Sequence, residues 1–170
     1  MIEISREGSI FLIGFMGAGK TTVGRAVADL LGYDFIDLDQ LIESQVGKSV
    51  QEIFMELGEP AFRRLEREAI QACGNLNRTV VALGGGAYVQ EENRALLREA
   101  GKTIWLDCPL EVCLRRIEGD RSRPLLSGKQ KMSELLEQRR TSYRLADHAV
   151  QSGEATPEEI AREIVRLANE

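Results

Sequence analysis

Gly14-Phe15-Met16-Gly17-Ala18-Gly19-Lys20-Thr21 has the spacing G-x-x-x-x-G-K-T, and each residue type in it has a chemical use. The glycines let the backbone turn tightly and bring N–H groups against phosphate oxygens. A helix beginning at this point adds its positive N-terminal end. Lys20 can reach the β- and γ-phosphates, and the Thr21 hydroxyl suits Mg²⁺. A chance glycine turn has no reason to follow a buried strand and open an amphipathic helix, as this segment does. Gly17, Ala18, Gly19, Lys20, Thr21 and Thr22 are therefore the candidate ATP-binding residues, with Lys20 also catalytic.

Other residues suited to chemistry lie downstream. Asp37-Leu38-Asp39 follows an apolar run. At a strand exit, period 2 would send both carboxylates to one side. One could then approach a Mg²⁺ shell and the other an acceptor hydroxyl. The plainer alternative is a polar loop capping a helix that begins near Gln40. Arg63 and Glu66, in Gly58-Glu59-Pro60-Ala61-Phe62-Arg63-Arg64-Leu65-Glu66, share a helix face and can pair. Such a pair can aim a guanidinium at a carboxylate, or it is simply an exposed ion pair. Gly84-Gly85-Gly86 offers backbone with no side chains, open to close approach by a ligand. Arg121 and Arg123 lie in a polar Gly/Pro-containing segment, 119–128. Arginine on a segment that closes over ATP suits phosphoryl transfer, which needs cationic partners and exclusion of water. Arg139 or Arg140, just before Tyr143, could reach back to an anionic acceptor. His148 is the only histidine and reads as structural.

The elements that must position these residues alternate. Residues 10–13 read as a short strand buried on both faces, and 33–36, 79–83, 103–106 and 149–150 as further short strands. Helical spacing joins Val23, Val27, Leu30 and Leu31, with Gly32 as the stop, and recurs from Phe62 to Cys73, over 112–117 and over 132–145. Thr156-Pro157-Glu158-Glu159 opens a last helix through a capping box. Strands alternating with helices imply a parallel α/β sheet covered on both sides, with ligands beyond the C-terminal strand ends.

The 170 residues suit one domain, 1–170, and the net charge of −5 argues against bulk nucleic-acid binding. Between 115 and 145, however, nine basic residues face four acids, which suggests a compact anionic ligand or, on the plainer reading of a charge run alone, a solvated helix face. No apolar run approaches the ~18 residues of a membrane span, and the first residues lack a secretory signal. Three cysteines, Cys73, Cys108 and Cys113, without metal-ligand spacing read as buried thiols of a reducing cytoplasm. Nothing in the pattern suggests an oligomer interface, so a monomer is expected.

With these residues laid out, the chain resembles shikimate kinase over nearly its whole length. The resemblance rests on GFMGAGKT at 14–21, DLD at 37–39, GEPAFRRLE at 58–66, LGGGA at 83–87, RPLL at 123–126 and RRTSY at 139–143. It implies a three-layer P-loop fold of the nucleoside monophosphate kinase type. A five-stranded parallel sheet in the order 2-3-1-4-5 would be flanked by helices, with a mobile lid at about 119–130 and an acceptor region at about 37–66. The implied reaction transfers the γ-phosphoryl of ATP, with one Mg²⁺, to the 3-hydroxyl of shikimate, in chorismate and aromatic amino acid biosynthesis. By the same resemblance Asp39 is catalytic and binds the ring hydroxyls, Arg63 and Arg139 hold the carboxylate, and Gly84, Gly85 and Gly86 form the ring pocket. Arg123 is the catalytic lid arginine, Arg116 and Pro157 flank adenine, and Asp37 joins Thr21 near the metal through water. Where the family has a hydroxyl residue contacting magnesium through water, this chain has Ala82. Two other readings compete. Another small-molecule P-loop kinase, such as gluconate kinase, would not need two arginines converging with Asp39 and a glycine triplet. A non-catalytic nucleotide-binding module would not need Lys20, Asp39 and Arg123.

Overall fold

The computed structural model describes residues 8–118 and 128–170. Its centre is a parallel sheet of five strands: β1 (Ser9–Ile13), β2 (Asp34–Asp37), β3 (Thr79–Ala82), β4 (Gly101–Asp107) and β5 (His148–Gln151). Their order is β2-β3-β1-β4-β5, the 2-3-1-4-5 arrangement that the resemblance implies. The helices are α1 (Lys20–Leu31), α2 (Leu38–Val46), α3 (Val50–Leu57), α4 (Glu59–Gly74), α5 (Glu91–Ala100), α6 (Leu110–Glu118), α7 (Lys129–Tyr143) and α8 (Pro157–Ala168).

Every residue of β1 is buried, because the strand lies between β3 and β4 with helices on the sheet's faces. That is why it reads as an unbroken apolar run rather than as an alternation. Phe11, Leu12, Val80, Val81, Ile104 and Leu106 are fully excluded from solvent, each stabilising the fold by about 1.5–3 kcal/mol relative to exposure. α1 packs against α8, and α4 against α2, α3 and α5. Gly32 ends α1 in the left-handed conformation, and Thr156 with Glu159 closes the expected capping box at α8. The three cysteines are free and buried.

Several boundaries differ from the sequence reading. β4 begins at Gly101, two residues early, since Gly101 pairs with Ser9 at the start of β1. α7 starts at Lys129, so the expected lid 119–130 overlaps a helix at its end; residues 119–127 of that lid, with Arg121 and Arg123, lie outside the described residues. α7 also stops at Tyr143 rather than at 145. α2 begins at Leu38, two residues before the helix expected near Gln40, and α3 and α5 are additional to the sequence reading. α3 nevertheless carries a complete capping box, Ser49 with Glu52.

Candidate active site

The loop between β1 and α1 turns through Gly17 (φ 80°) and Gly19 (φ 98°), a left-handed region that favours glycine. Space constrains Gly17 as well: a Cβ there would lie 2.7 Å from the Cys113 carbonyl oxygen of α6. Gly19 caps α1 with no side-chain acceptor, so the first-turn N–H groups face outward for an anion. The Lys20 ammonium donates to the carbonyls of Gly14 at 2.5 Å and Phe15 at 3.1 Å, which holds it over the loop. Around this loop lies a cavity of about 150 Å³ lined by Gly17, Ala18, Gly19, Lys20, Thr21, Thr22, Arg116 and Ile117. All six loop residues expected to bind ATP therefore line one cleft. Arg116 donates to the Gly17 carbonyl at 3.0 Å, while Pro157, at the start of α8, is not among the lining residues. The buried Ser152 hydroxyl ties the segment before α8 to the Ala18 carbonyl at 3.3 Å, a support that sequence reasoning missed.

Asp37 and Asp39 are placed by a different device from the one expected. Asp37 ends β2 and caps α2, its Oδ1 accepting from the Gln40 N–H at 3.1 Å, while Asp39 sits in the first turn of α2. Strand alternation cannot run across that junction, so the helix-cap alternative is correct for Asp37. The other Asp37 oxygen accepts the Thr21 hydroxyl at 2.7 Å. A hydroxyl and a carboxylate joined beside the phosphate loop form a hard oxygen donor set, which fits Mg²⁺. The described residues hold no cluster of three or more His, Cys, Asp or Glu side chains that could bind a metal by themselves. An ion here would take its remaining ligands from phosphate and water.

The second half of the site is built around the glycine triplet after β3. A Cβ on Gly84 would lie 2.9 Å from Asp39 Oδ1 and 3.4 Å from Glu66 Oε2. On Gly85 it would lie 2.9 Å from Arg139 Nη1, and on Gly86 only 2.4 Å from Arg63 Nη2. Two carboxylates and two guanidinium groups from α2, α4 and α7 thus crowd onto backbone that must have no side chains. Glu66 is wholly buried and accepts from Arg63 Nη1 at 2.9 Å. Burial pushes its carboxyl up to about 7; Arg63 pulls against that shift and Asp39 adds to it. The rings of Phe54 and Phe62 lie 5.9 and 5.4 Å from the Arg63 guanidinium carbon, and Phe15 holds that of Arg139 at 5.8 Å. Tyr143, fully buried, donates to the Gly85 carbonyl at 2.6 Å.

Sequence reasoning brought Asp39, Arg63, Arg139 and the triplet together. It gave Glu66 only a pairing role and gave Tyr143 none. A carboxylate at helical spacing from Arg63 and an aromatic at i+4 from Arg139 were the signals available. Tyr88 is structural: it is buried, and its hydroxyl donates to the Leu145 carbonyl at 3.1 Å. The arrangement can hold a polyphosphate at the loop and, across the triplet, an acceptor bearing a carboxylate and hydroxyls.

Known proteins carry the same pattern. The family model described as shikimate kinase matches residues 16–169. A shikimate kinase of Geobacter sulfurreducens is 44% identical over 165 residues, covering 95% of this chain and 91% of its own. One of Persephonella marina is 42% identical over 158 residues, covering 92% and 96%. Among solved structures, a shikimate kinase from Acinetobacter baumannii in complex with shikimate superposes with a TM-score of 0.89 at 38% identity, covering 94% of this chain and 92% of that one. A gluconokinase from Sinorhizobium meliloti shares the fold, with a TM-score of 0.60 at 24% identity.

Proposed function

The chain belongs to the shikimate kinase family, and from that premise we propose that it phosphorylates shikimate on its 3-hydroxyl at the expense of ATP. The observation that carries this reading is the convergence of Asp39, Glu66, Arg63 and Arg139 on Gly84-Gly85-Gly86, on the acceptor side of the phosphate loop.

ATP lays its β- and γ-phosphates on the N–H groups of Gly17, Ala18, Gly19, Lys20, Thr21 and Thr22, where the end of α1 favours negative charge. Arg116 and Pro157 flank the adenine. Thr21 and, through water, Asp37 would hold Mg²⁺, which would neutralise phosphate charge there. Arg63 and Arg139 grip the shikimate carboxylate with forked donors. The bare triplet lets the ring approach the backbone. Asp39 hydrogen-bonds the ring hydroxyls and takes the proton of the 3-hydroxyl as its oxygen bonds to the γ-phosphorus. The bond from that phosphorus to the β–γ bridging oxygen breaks, and ADP leaves. Lys20 stabilises charge on the transferred group throughout, and Arg123 joins it from segment 119–128.

No helix among the described residues is long and apolar enough to cross a membrane. The proposal places the enzyme in the cytoplasm as a one-domain monomer, away from membrane and nucleic acid. Steady-state assays with shikimate, gluconate and other hydroxylated acids test the substrate. Turnover of shikimate at a kcat/KM at least a hundredfold above the others is expected, and equal or better turnover of gluconate refutes the reading.

A further inference from the structure

Glu66 is the buried acid that the mechanism leaves unused. Its Oε1 is taken by Arg63, whereas Oε2 has no hydrogen-bond partner among the described residues. That free oxygen and the Asp39 carboxylate lie within 3.4 Å of one point, the place a Cβ would occupy on Gly84. A buried acid turned towards the glycine triplet, next to a second acid, is an unstable arrangement for two negative charges. The charged groups facing Glu66 are Arg63 on its own helix, Asp39 from α2 and Arg139 from α7. Glu59 reaches Arg63 from the solvent side at 3.4 Å. The segment after β3 contributes only glycines, and Tyr143 is a neutral phenol.

With Asp39 and Glu66 both ionised, the two arginines balance them. A carboxylate entering between Arg63 and Arg139 brings a third negative charge and shares the Arg63 guanidinium with Glu66. We propose that Glu66 takes up a proton when the acceptor's carboxylate binds, and so acts as a positioning residue whose protonation sets acceptor affinity. The inference rests on the reading that Arg63 and Arg139 hold the shikimate carboxylate. Protonation restores the charge balance, and the acid can then donate to an acceptor hydroxyl from Oε2 while Oε1 still receives the Arg63 N–H. Burial already holds the carboxyl at about 7, so the proton is available near neutrality. A like charge ~6 Å away at an effective dielectric of ~20 shifts a protonation equilibrium by roughly a hundredfold, enough to keep that proton bound at pH 8 in the complex.

The test is calorimetry of shikimate binding to the full chain at pH 6 and pH 8, in Tris and in HEPES. The two buffers differ in ionisation enthalpy, and the difference in heat counts protons. Wild type should take up about 0.8 proton per shikimate at pH 8, with affinity falling roughly tenfold from pH 6 to pH 8. Glu66→Gln, a neutral isostere, should take up none and bind with the same affinity at both pH values. Wild type with no uptake, or a variant with as much uptake as wild type, overturns the proton. Arg139→Ala separates the two levels. Lost shikimate binding in that variant, with no proton uptake in wild type, leaves the carboxylate clamp standing without the proton. Unchanged shikimate binding in Arg139→Ala overturns both.

Discussion

A single methyl group at Gly86 should cripple acceptor binding and leave ATP binding alone. Gly86 has φ −96° and ψ −5°, values any residue adopts, so Gly86→Ala adds no backbone strain. The new Cβ would nevertheless lie 2.4 Å from Arg63 Nη2, 2.8 Å from Nη1 and 2.9 Å from Cζ. Ordinary contact requires about 3.5 Å, so the guanidinium must retreat by about 1 Å. Rings of Phe54 and Phe62 lie within 6 Å of it, and its Nη1 is bonded to Glu66 at 2.9 Å, which leaves few directions of escape. A forked contact displaced by that much loses one charge-assisted hydrogen bond, about 2 kcal/mol, which corresponds to a KM for shikimate roughly 30-fold higher. The phosphate loop is untouched, so the KM for ATP should stay within about twofold, while the melting temperature reports what displacing the Arg63–Glu66 pair costs the fold. Steady-state kinetics varying each substrate separately, with thermal unfolding as the control, decide it. An unchanged KM for shikimate refutes the placement of Arg63 as a carboxylate ligand; an equal rise in the KM for ATP refutes the division of the site into two halves.

Lys20→Ala should lower turnover by orders of magnitude, because its charge acts mainly in the transition state; turnover within about threefold of wild type contradicts the phosphate-loop assignment. Arg63→Lys should raise the KM for shikimate nearly as much as Arg63→Ala, since an ammonium cannot make the forked contact; recovery by lysine in the same assay would reduce Arg63 to a point charge. Arg123→Ala should depress kcat far more than it weakens nucleotide binding, with Arg144→Ala, an exposed arginine, as an inert control; equal losses from the two refute the special role of Arg123. Glu66 also makes stability depend on pH. Its carboxyl in the fold is raised to about 7 from an ordinary 4.5, so the folded state binds the proton more tightly. The associated stability is complete below 4.5 and lost as pH rises to 7, by roughly 2–4 kcal/mol. Glu66→Gln should lack that share of the fall in denaturant midpoint between pH 4.5 and 8, and a variant with the wild-type slope contradicts it.

What could be read without coordinates follows from how local each signal is. The phosphate loop is eight consecutive residues whose roles depend on one another, and β1 is apolar throughout because it is buried on both faces. Both survive intact in the structure. Residues 37–39 were legible as chemistry but not as geometry, because the period-2 argument assumed a strand where Asp37 already caps α2. The capping box Ser49–Glu52 is legible in the sequence, as is the helical spacing of Leu38, Leu41 and Ile42 in α2 and of Val50, Ile53, Phe54 and Leu57 in α3, so these are missed signals rather than absent ones. Glu66 was the hardest to read. An i, i+3 partner of an arginine looks like a surface ion pair until α2, α7 and the triplet bury it completely, and no spacing along the chain reports that.

The glycine triplet carries more of the site than its lack of side chains suggests. Its three α-carbons face Asp39 and Glu66, then Arg139, then Arg63, so the whole acceptor half is indexed on three consecutive residues leaving one buried strand. That strand also sets the metal side. Ala82, the last residue of β3, pairs in register with Asp37 and is buried. A hydroxyl at that position would stand beside the carboxylate that already accepts from Thr21. Losing a neutral hydroxyl forfeits a net hydrogen bond of about 1 kcal/mol, whereas losing the Asp37 charge forfeits several times that beside a divalent ion. Alanine at 82 is therefore tolerable so long as Asp37 stays, and Asp37 is fixed twice over, by its place at the end of β2 and by its cap on α2. The paired ends of β2 and β3 thus set the spacing between the Asp37 carboxylate, proposed for the metal, and the glycine triplet, proposed for the acceptor.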